Sequence, residues 1–148
     1  MIITPHMLVG AAVGAHSSHL WSAFVLGLFS HYLLDALPHW DYLNEVKISN
    51  PDHLKKIGPD FILGGLLVLF LTWSSPQKFF ILVALIAALL PDCLEVFYSN
   101  FNIKWLRPLS LIHHKIHSQK RLSFWSGLSL MLIVSLTAIM ILLFNKWG

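Results

Sequence analysis

Apolar residues fall into five runs, separated by short polar breaks that carry helix-boundary residues. Thr4-Pro5-His6 reads as a helix start, with Thr4 able to cap and Pro5 at the first helical position, where a missing N–H costs nothing. The first helix is expected over 5–15. Gly10-Ala11-Ala12-Val13-Gly14 within it is a GxxxG pattern, which lets two helix backbones approach closely, and the expected partner is the next helix. At ~1.5 Å per residue this segment is too short to cross a ~30 Å apolar layer alone. His16-Ser17-Ser18-His19 breaks the pattern. A second helix follows over 20–37 and ends at Pro38. Residues 38–59 read as a polar loop. A third helix covers 60–73, and Ser74-Ser75-Pro76 turns the chain. A fourth covers 77–90, with Pro91-Asp92 at its end and a continuation beyond them left open. Residues 99–121 are mixed and basic. The last run, 122–144, alone has the full length of a membrane span.

Composition decides the solvent. The chain has 148 residues, enough for one domain over 1–148, and is 56% hydrophobic and 11% charged. A soluble domain carries about 25% charged residues, and a water-soluble fold this apolar would expose large sticky patches. The expected fold is therefore all-α, a polytopic membrane bundle of about four to five helices in contact with membrane lipid. The formal charge of +3 is too small, on so little polar surface, to read as a nucleic-acid signal. Cys93 is the single cysteine and has no internal disulfide partner. The first fifteen residues lack a basic leader, so the first apolar segment is expected to serve as an uncleaved signal.

Charge then orients the bundle. Traced as a serpentine, the chain puts Lys47, Lys55, Lys56, Lys104, Arg107, Lys115, Lys120 and Arg121 on one side, and Lys78 and Lys146 on the other. The positive-inside rule makes the first side cytoplasmic, and the cell (inner) membrane is the expected location. Asp35, Asp41, Glu45, Asp52, Asp60, Asp92 and Glu95 also fall on or just below that side. The rule does not ask this of acids, so their position needs its own cause.

The densest polar cluster is His31-Tyr-Leu-Leu-Asp35-Ala-Leu-Pro38-His39-Trp-Asp41. His31 and Asp35 share one helix face inside an apolar run, where a bare carboxylate is costly and nearly always faces a partner. Imidazole and carboxylate at this spacing make half of a zinc site. Three further pieces reach the same side: Asp92 with Glu95, then His113 or His114 with His117, and His6. Each has a plainer reading. Asp60 is a helix cap, His16 and His19 are turn residues, and His53, Glu45 and Asp52 are solvated loop groups. Asp92 alone is a helix-end acid facing water. The His113–His117 stretch would touch lipid head groups, and His31 with Asp35 would be a buried hydrogen-bonded pair. Jointly, these readings must account for four His/Asp clusters on one face, and a shared metal site does so more simply.

Thr-Pro-His6, Gly27-Leu-Phe-Ser30-His31-Tyr-Leu-Leu-Asp35, Leu-Leu-Pro91-Asp92 and His113-His-Lys-Ile-His117-Ser118 resemble the bacterial and archaeal membrane-bound metal-dependent hydrolases. Those proteins carry an early His, a Gly-x-x-Ser-His-x-x-x-Asp helix, a Leu-Pro-Asp turn and a His-Arg-x-x-Thr-His-Ser motif. Here the last two follow the Ser-His-x-x-x-Asp helix instead of preceding it. The His-rich motif is one residue shorter, with Lys115 where Arg is expected. A fainter likeness is to zinc-dependent phospholipase C, whose His-Tyr-x-x-Asp-x-x-x-Pro-x-His helix compares with His31-Tyr32-x-x-Asp35-x-x-Pro38-His39.

The expected function is a metal-dependent hydrolase at the cytoplasmic membrane surface, acting on a phosphoester or other ester, with a lipid-like or phosphoester substrate as the expected partner. His6, His31, Asp35, Asp92, His113, His114 and His117 supply the candidate ligands of one or two divalent ions, zinc by preference. His39 or Asp41 would act as general base or orient a ligand. Lys115, Lys120 and Arg121 would attract an anionic head group. The alternatives are a metal or proton transporter or binding protein, and a structural membrane subunit without chemistry. Transport needs polar groups continuing to the far side, where only Thr72, Ser129, Ser135 and Thr137 stand.

Overall fold

In the computed structural model, residues 2–43, 45–118, 120 and 122–144 are described. Asn44, Arg121 and Lys146, which enter the loop and charge readings above, lie outside them. The described residues form six α-helices and one short 3-10 turn, and no strand. The helices are α1 (Ile3–Ala15), α2 (Leu20–Ala36), α3 (Pro51–Thr72), α4 (Lys78–Phe101), α5 (Arg107–Ile116) and α6 (Phe124–Phe144); the turn is Lys104–Leu106.

Two of these depart from the expected boundaries. Helix α3 begins nine residues early, inside the stretch read as loop. Asn50 caps it by accepting from the Asp52 N–H at 3.0 Å, Pro51 takes the first turn, and Pro59 is carried inside the helix. Helix α4 runs through Pro91 and ends only at Asn102, whose left-handed φ of 50° and N–H bond to the Tyr98 carbonyl close it. Asp92 and Glu95 therefore lie within the helix and not at its end. The basic stretch after α4 folds as the 3-10 turn and α5.

Small residues bring α1, α2 and α4 together. A Cβ on Gly10 would lie 2.8 Å from the Ala88 Cβ, one on Gly14 would strike the backbone of Ile81, and one on Gly27 would meet the Ala84 Cα at 2.9 Å. The GxxxG face of α1 thus packs on α4, not on α2 as its place in the sequence suggests. Helix α2 brings Gly27 to the same alanine stripe, where Ala84, Ala87 and Ala88 have no exposed surface. Close approach of backbones across small residues is the packing that apolar helices use in lipid.

Helix α1 is the centre of the bundle, with ten of its 13 residues buried. Met7, Leu8, Ala11, Ala12 and Ala15 pack against Val68 and Leu71 of α3, Ile81 of α4, and Ala138 and Leu142 of α6. Its short span, about 20 Å at ~1.5 Å per residue, is enclosed by longer helices. The outer surface is apolar, with Phe70, Phe79 and Ile133 each more than 60% exposed. Helices α4 and α6 are each long and apolar enough to cross a membrane.

Candidate metal centre

Four elements deliver polar side chains to the end of the bundle where α1 begins and α2 ends. The first is held by an acid from another helix. Asp60 of α3 accepts from the N–H groups of Ile3 (2.6 Å) and Thr4 (3.2 Å), and from the Thr4 hydroxyl (2.6 Å). Its carboxylate thereby satisfies the unpaired amides at the start of α1 and complements the positive end of that helix. The sequence placed Asp60 as the cap of its own helix and Thr4 as the cap of α1; the structure makes Asp60 the cap of α1. Tyr42 donates its hydroxyl to the same carboxylate at 3.2 Å. Burial, and then the charge of Asp60, push the Tyr42 hydroxyl above its ordinary pKa and keep this donor protonated. The start of α1, with His6 in its first turn, and the loop after α2 are thus tied to one point on α3.

The remaining groups come from α2, α4 and α5. His31 and Asp35 lie one turn apart on α2, and Asp92 follows Pro91 on α4. His113 points inward from the last turn of α5. Beyond α5, the Ser118 N–H donates to the Asp35 carbonyl (2.8 Å) and the Leu122 N–H to the His39 carbonyl (3.0 Å). These two bonds lay the chain after α5 along the end of α2, which sets His117 beside His39, with ring centroids 4.7 Å apart.

Asp35 is the focus, and it is only 1% exposed. His6 Nε2 is 3.2 Å from Oδ1, while His31 Nε2 and His113 Nε2 are 3.1 Å and 2.9 Å from Oδ2. The two last nitrogens are 3.4 Å apart, and Asp92 Oδ1 lies 3.7 Å from one and 3.6 Å from the other. Ligands of a tetrahedral ion with bonds of about 2.1 Å are separated by about 3.4 Å. His31, Asp35, Asp92 and His113 therefore have the spacing of a coordination sphere. A second group, Asp35, His39 and His117, brings one ligand atom from each residue within 4.8 Å of the others. Asp35 belongs to both.

The tautomers favour a cation. His31 Nδ1 is 2.7 Å from the Ala88 carbonyl oxygen, and His39 Nδ1 is 2.7 Å from that of Leu37. A carbonyl only accepts, so both Nδ1 atoms donate, and each neutral ring presents its Nε2 lone pair to the cluster. A neutral His31 would turn that lone pair on a carboxylate oxygen, whereas an imidazolium would donate to it. A backbone carbonyl fixing one ring nitrogen while the other binds is the arrangement that orients histidine ligands around metals. His6 is fully buried, with its Nε2 against Asp35 and its Nδ1 without a hydrogen-bond partner. A buried nitrogen without a partner is costly, and the cluster tolerates it. Burial also lowers the pKa of His117, which keeps its ring neutral and able to ligate.

The candidates from the sequence divide accordingly. His6, His31, Asp35, Asp92 and His113 share one cluster. His39 and His117 share the second group, and Asp41 borders it, 3.2 Å from His39 Nε2. His39 thus stands among possible ligands. His114 is placed elsewhere: its side chain is 64% exposed and pairs with Glu95 at 3.1 Å. Glu45 and Asp52 pair with exposed lysines, Lys47 and Lys55.

A cavity of about 390 Å³ adjoins the cluster, and sequence reasoning missed it. Its walls include Leu43, Val46 and Ile48, from the stretch read as a polar loop, and Asp41, Asp92 and His117 close one side. The signal was those three apolar residues among the polar ones. Neither a family model, nor a curated protein, nor a solved structure matches this chain.

Proposed function

We propose that this chain is an integral membrane protein with a two-metal hydrolytic centre at one membrane face, acting on a phosphoester. The observation that carries the metal reading is the spacing of His31, Asp35, Asp92 and His113 around one point, with Asp35 shared by the second group, His39 and His117. A carboxylate common to two ligand sets is suited to lie between two ions, and zinc fits the imidazole and carboxylate donors. Such a pair supplies positive charge that polarises a phosphoryl oxygen and makes water nucleophilic near neutral pH.

The protein groups have separate tasks. Asp35, buried and bonded on both oxygens, holds the centre together. His31 and His39 are oriented by the Ala88 and Leu37 carbonyls. Asp92, whose side chain is 35% exposed, opens the centre to the cavity. Asp41, on the cavity wall, takes the proton of the attacking water. The water oxygen forms the new bond to phosphorus, the bond from phosphorus to the ester oxygen breaks, and the departing oxygen takes up a proton. Resemblance to the membrane-bound metal-dependent hydrolases supports the same reaction class.

Three features support the membrane reading. Fewer than a third of the residues in the apolar windows of α4 and α6 are buried, so these helices are not the interior of a soluble fold. Exposed tryptophans mark both ends of the bundle, Trp21 and Trp73 at one and Trp105 and Trp125 at the other, as in the aromatic belts at membrane interfaces. Lysines and arginines crowd the end that carries the site, which makes that face cytoplasmic.

Elemental analysis of the detergent-purified protein tests the centre. About two ions per chain are expected, with hydrolysis of a p-nitrophenyl phosphodiester and loss of both in His31→Ala. Metal-free protein whose His31→Ala variant matches it in every respect would sink the proposal.

A further inference from the structure

We infer that the cavity beside the metal centre holds the hydrocarbon tail of the substrate, so that the phosphoester is carried by a single-chain amphiphile. The fate of the head group rests on the hydrolase reading above; the seat of the tail rests on the cavity. At about 390 Å³ the cavity lies at the low end of the range of about 300–1,000 Å³ found for small-molecule sites, room for one chain. Ile57 and Phe61 of α3, Val46 and Ile48 of the loop, and Val96 and Phe97 of α4 line it. Water gains few partners in such a lining, whereas a methylene chain removes its own surface and that of the walls from water.

The position of the polar wall fixes which way the amphiphile lies. Asp41, Asp92 and His117 line the same cavity and belong to, or border, the two ligand groups. Asp35, His31 and His6 are closed off behind them. A head group at Asp92 and His117 leaves its tail only the space between α3 and α4. Glu95, also lining the cavity, meets His114 through Oε1, while its buried Oε2 makes no hydrogen bond and leaves one polar atom among the apolar walls. Both elements that frame the cavity present apolar faces to the outside, with Phe61 and Phe97 about half exposed at its rim. A chain can therefore pass sideways into the cavity from the surrounding lipid.

Photolabelling tests this without requiring turnover. The full chain in phosphatidylcholine nanodiscs is irradiated with dodecyl phosphate bearing a terminal diazirine, and labelled residues are mapped by mass spectrometry. Label is expected on Ile57, Phe61 or Phe97, falling at least ~5-fold in Ile57→Trp, whose indole fills the cavity. Val96→Phe fills it from the opposite wall and is expected to act alike. Label confined to outward residues such as Phe70, Phe79 and Ile133, and unchanged in both variants, overturns the inference. The two readings fail separately. Protein that lacks metal and turnover but labels at Ile57 keeps the tail site and loses the hydrolase. Active enzyme that labels only on its outer faces keeps the hydrolase and loses the tail site.

Discussion

The two ends of the bundle treat buried polar side chains in opposite ways. At the end where α2 closes, they reach far across the sequence: His31 meets the Ala88 carbonyl 57 residues away, and His113 meets Asp35 at a separation of 78. At the other end they turn back on their own helices. Thr72 donates to the Val68 carbonyl (2.7 Å) and Ser17 to that of Val13 (2.8 Å). A hydroxyl bonded four residues back is satisfied by any helix that contains it, and asks nothing of the rest of the fold. The convergent groups need α1, α2, α4 and α5 all in place. They also leave the buried Nδ1 of His6 without a partner and aim three ring nitrogens at one carboxylate. An arrangement that costs this much is expected where it has a ligand to hold. The same contrast counts against a transport pathway, because the hydroxyls along its far half are already committed to backbone carbonyls.

The sharpest way to break the comparison is Asp35→Asn. The amide keeps the size of the side chain but removes the charge common to both ligand groups. Ligand-orienting residues change metal affinity by about 10- to 100-fold, and a shared ligand is expected to exceed that, with loss of at least ~100-fold and of turnover. Metal content after dialysis, followed by competition with a chelator, reads this directly. If Asp35→Asn keeps its ions, the convergent end is only a costly way of packing helices.

Neighbouring histidines on α5 give the next test. His113→Ala is expected to lower metal affinity by at least ~10-fold. His114→Ala removes an exposed pair with Glu95 and is expected to change metal content not at all and stability by less than about 0.5 kcal/mol. Equal effects from the two would mean that α5 sits in a different register.

Asp60→Asn comes lower, because it acts on α1 and only through α1 on His6. Hydrogen bonds to a charged acceptor are each worth about 1.5–3 kcal/mol, and Asn retains part of the set, so a loss of about 2 kcal/mol is expected in thermal unfolding in detergent. Metal affinity should fall less than in His113→Ala. A variant that melts normally but loses its metal would make Asp60 part of the centre and not its support.

What the sequence made legible follows from what each signal depends on. His31 and Asp35 could be paired from spacing alone, because a helix puts residues four apart on one face. Their convergence with His6, Asp92 and His113 followed only as a shared membrane side, which the serpentine supplied without distances. The choice between His113 and His114 needed the rotation of α5, and ten residues of mixed character do not set it. The partner of the GxxxG face was misread because neighbours in sequence are the default neighbours in space. Here the stripe of Ala84, Ala87 and Ala88 on α4 is the flatter surface. The start of α3 was missed although Asn50-Pro51-Asp52 is a capping signal, since lysines at 55 and 56 gave the segment the look of a loop. The shape of the cavity was out of reach, because its walls come from separated stretches whose residues look ordinary singly.

The smallest expected effect belongs to the quiet end. Thr72→Val removes a hydroxyl that is buried and as deep as many groups of the site, and keeps the shape of the side chain. The Val68 carbonyl has lone pairs for the helix itself, so no buried acceptor is stranded. The change should lie within about 0.5 kcal/mol in thermal unfolding, with metal content and turnover untouched. The value of so small a number lies in its pairing with Asp35→Asn. Both substitutions remove polarity from the interior of the same bundle, and composition cannot tell them apart. If Thr72→Val alters turnover or ion binding, the hydroxyls of the far half belong to a path through the bundle, and the transport reading regains its ground. If it does not, polarity matters in this chain only where separate helices bring it together.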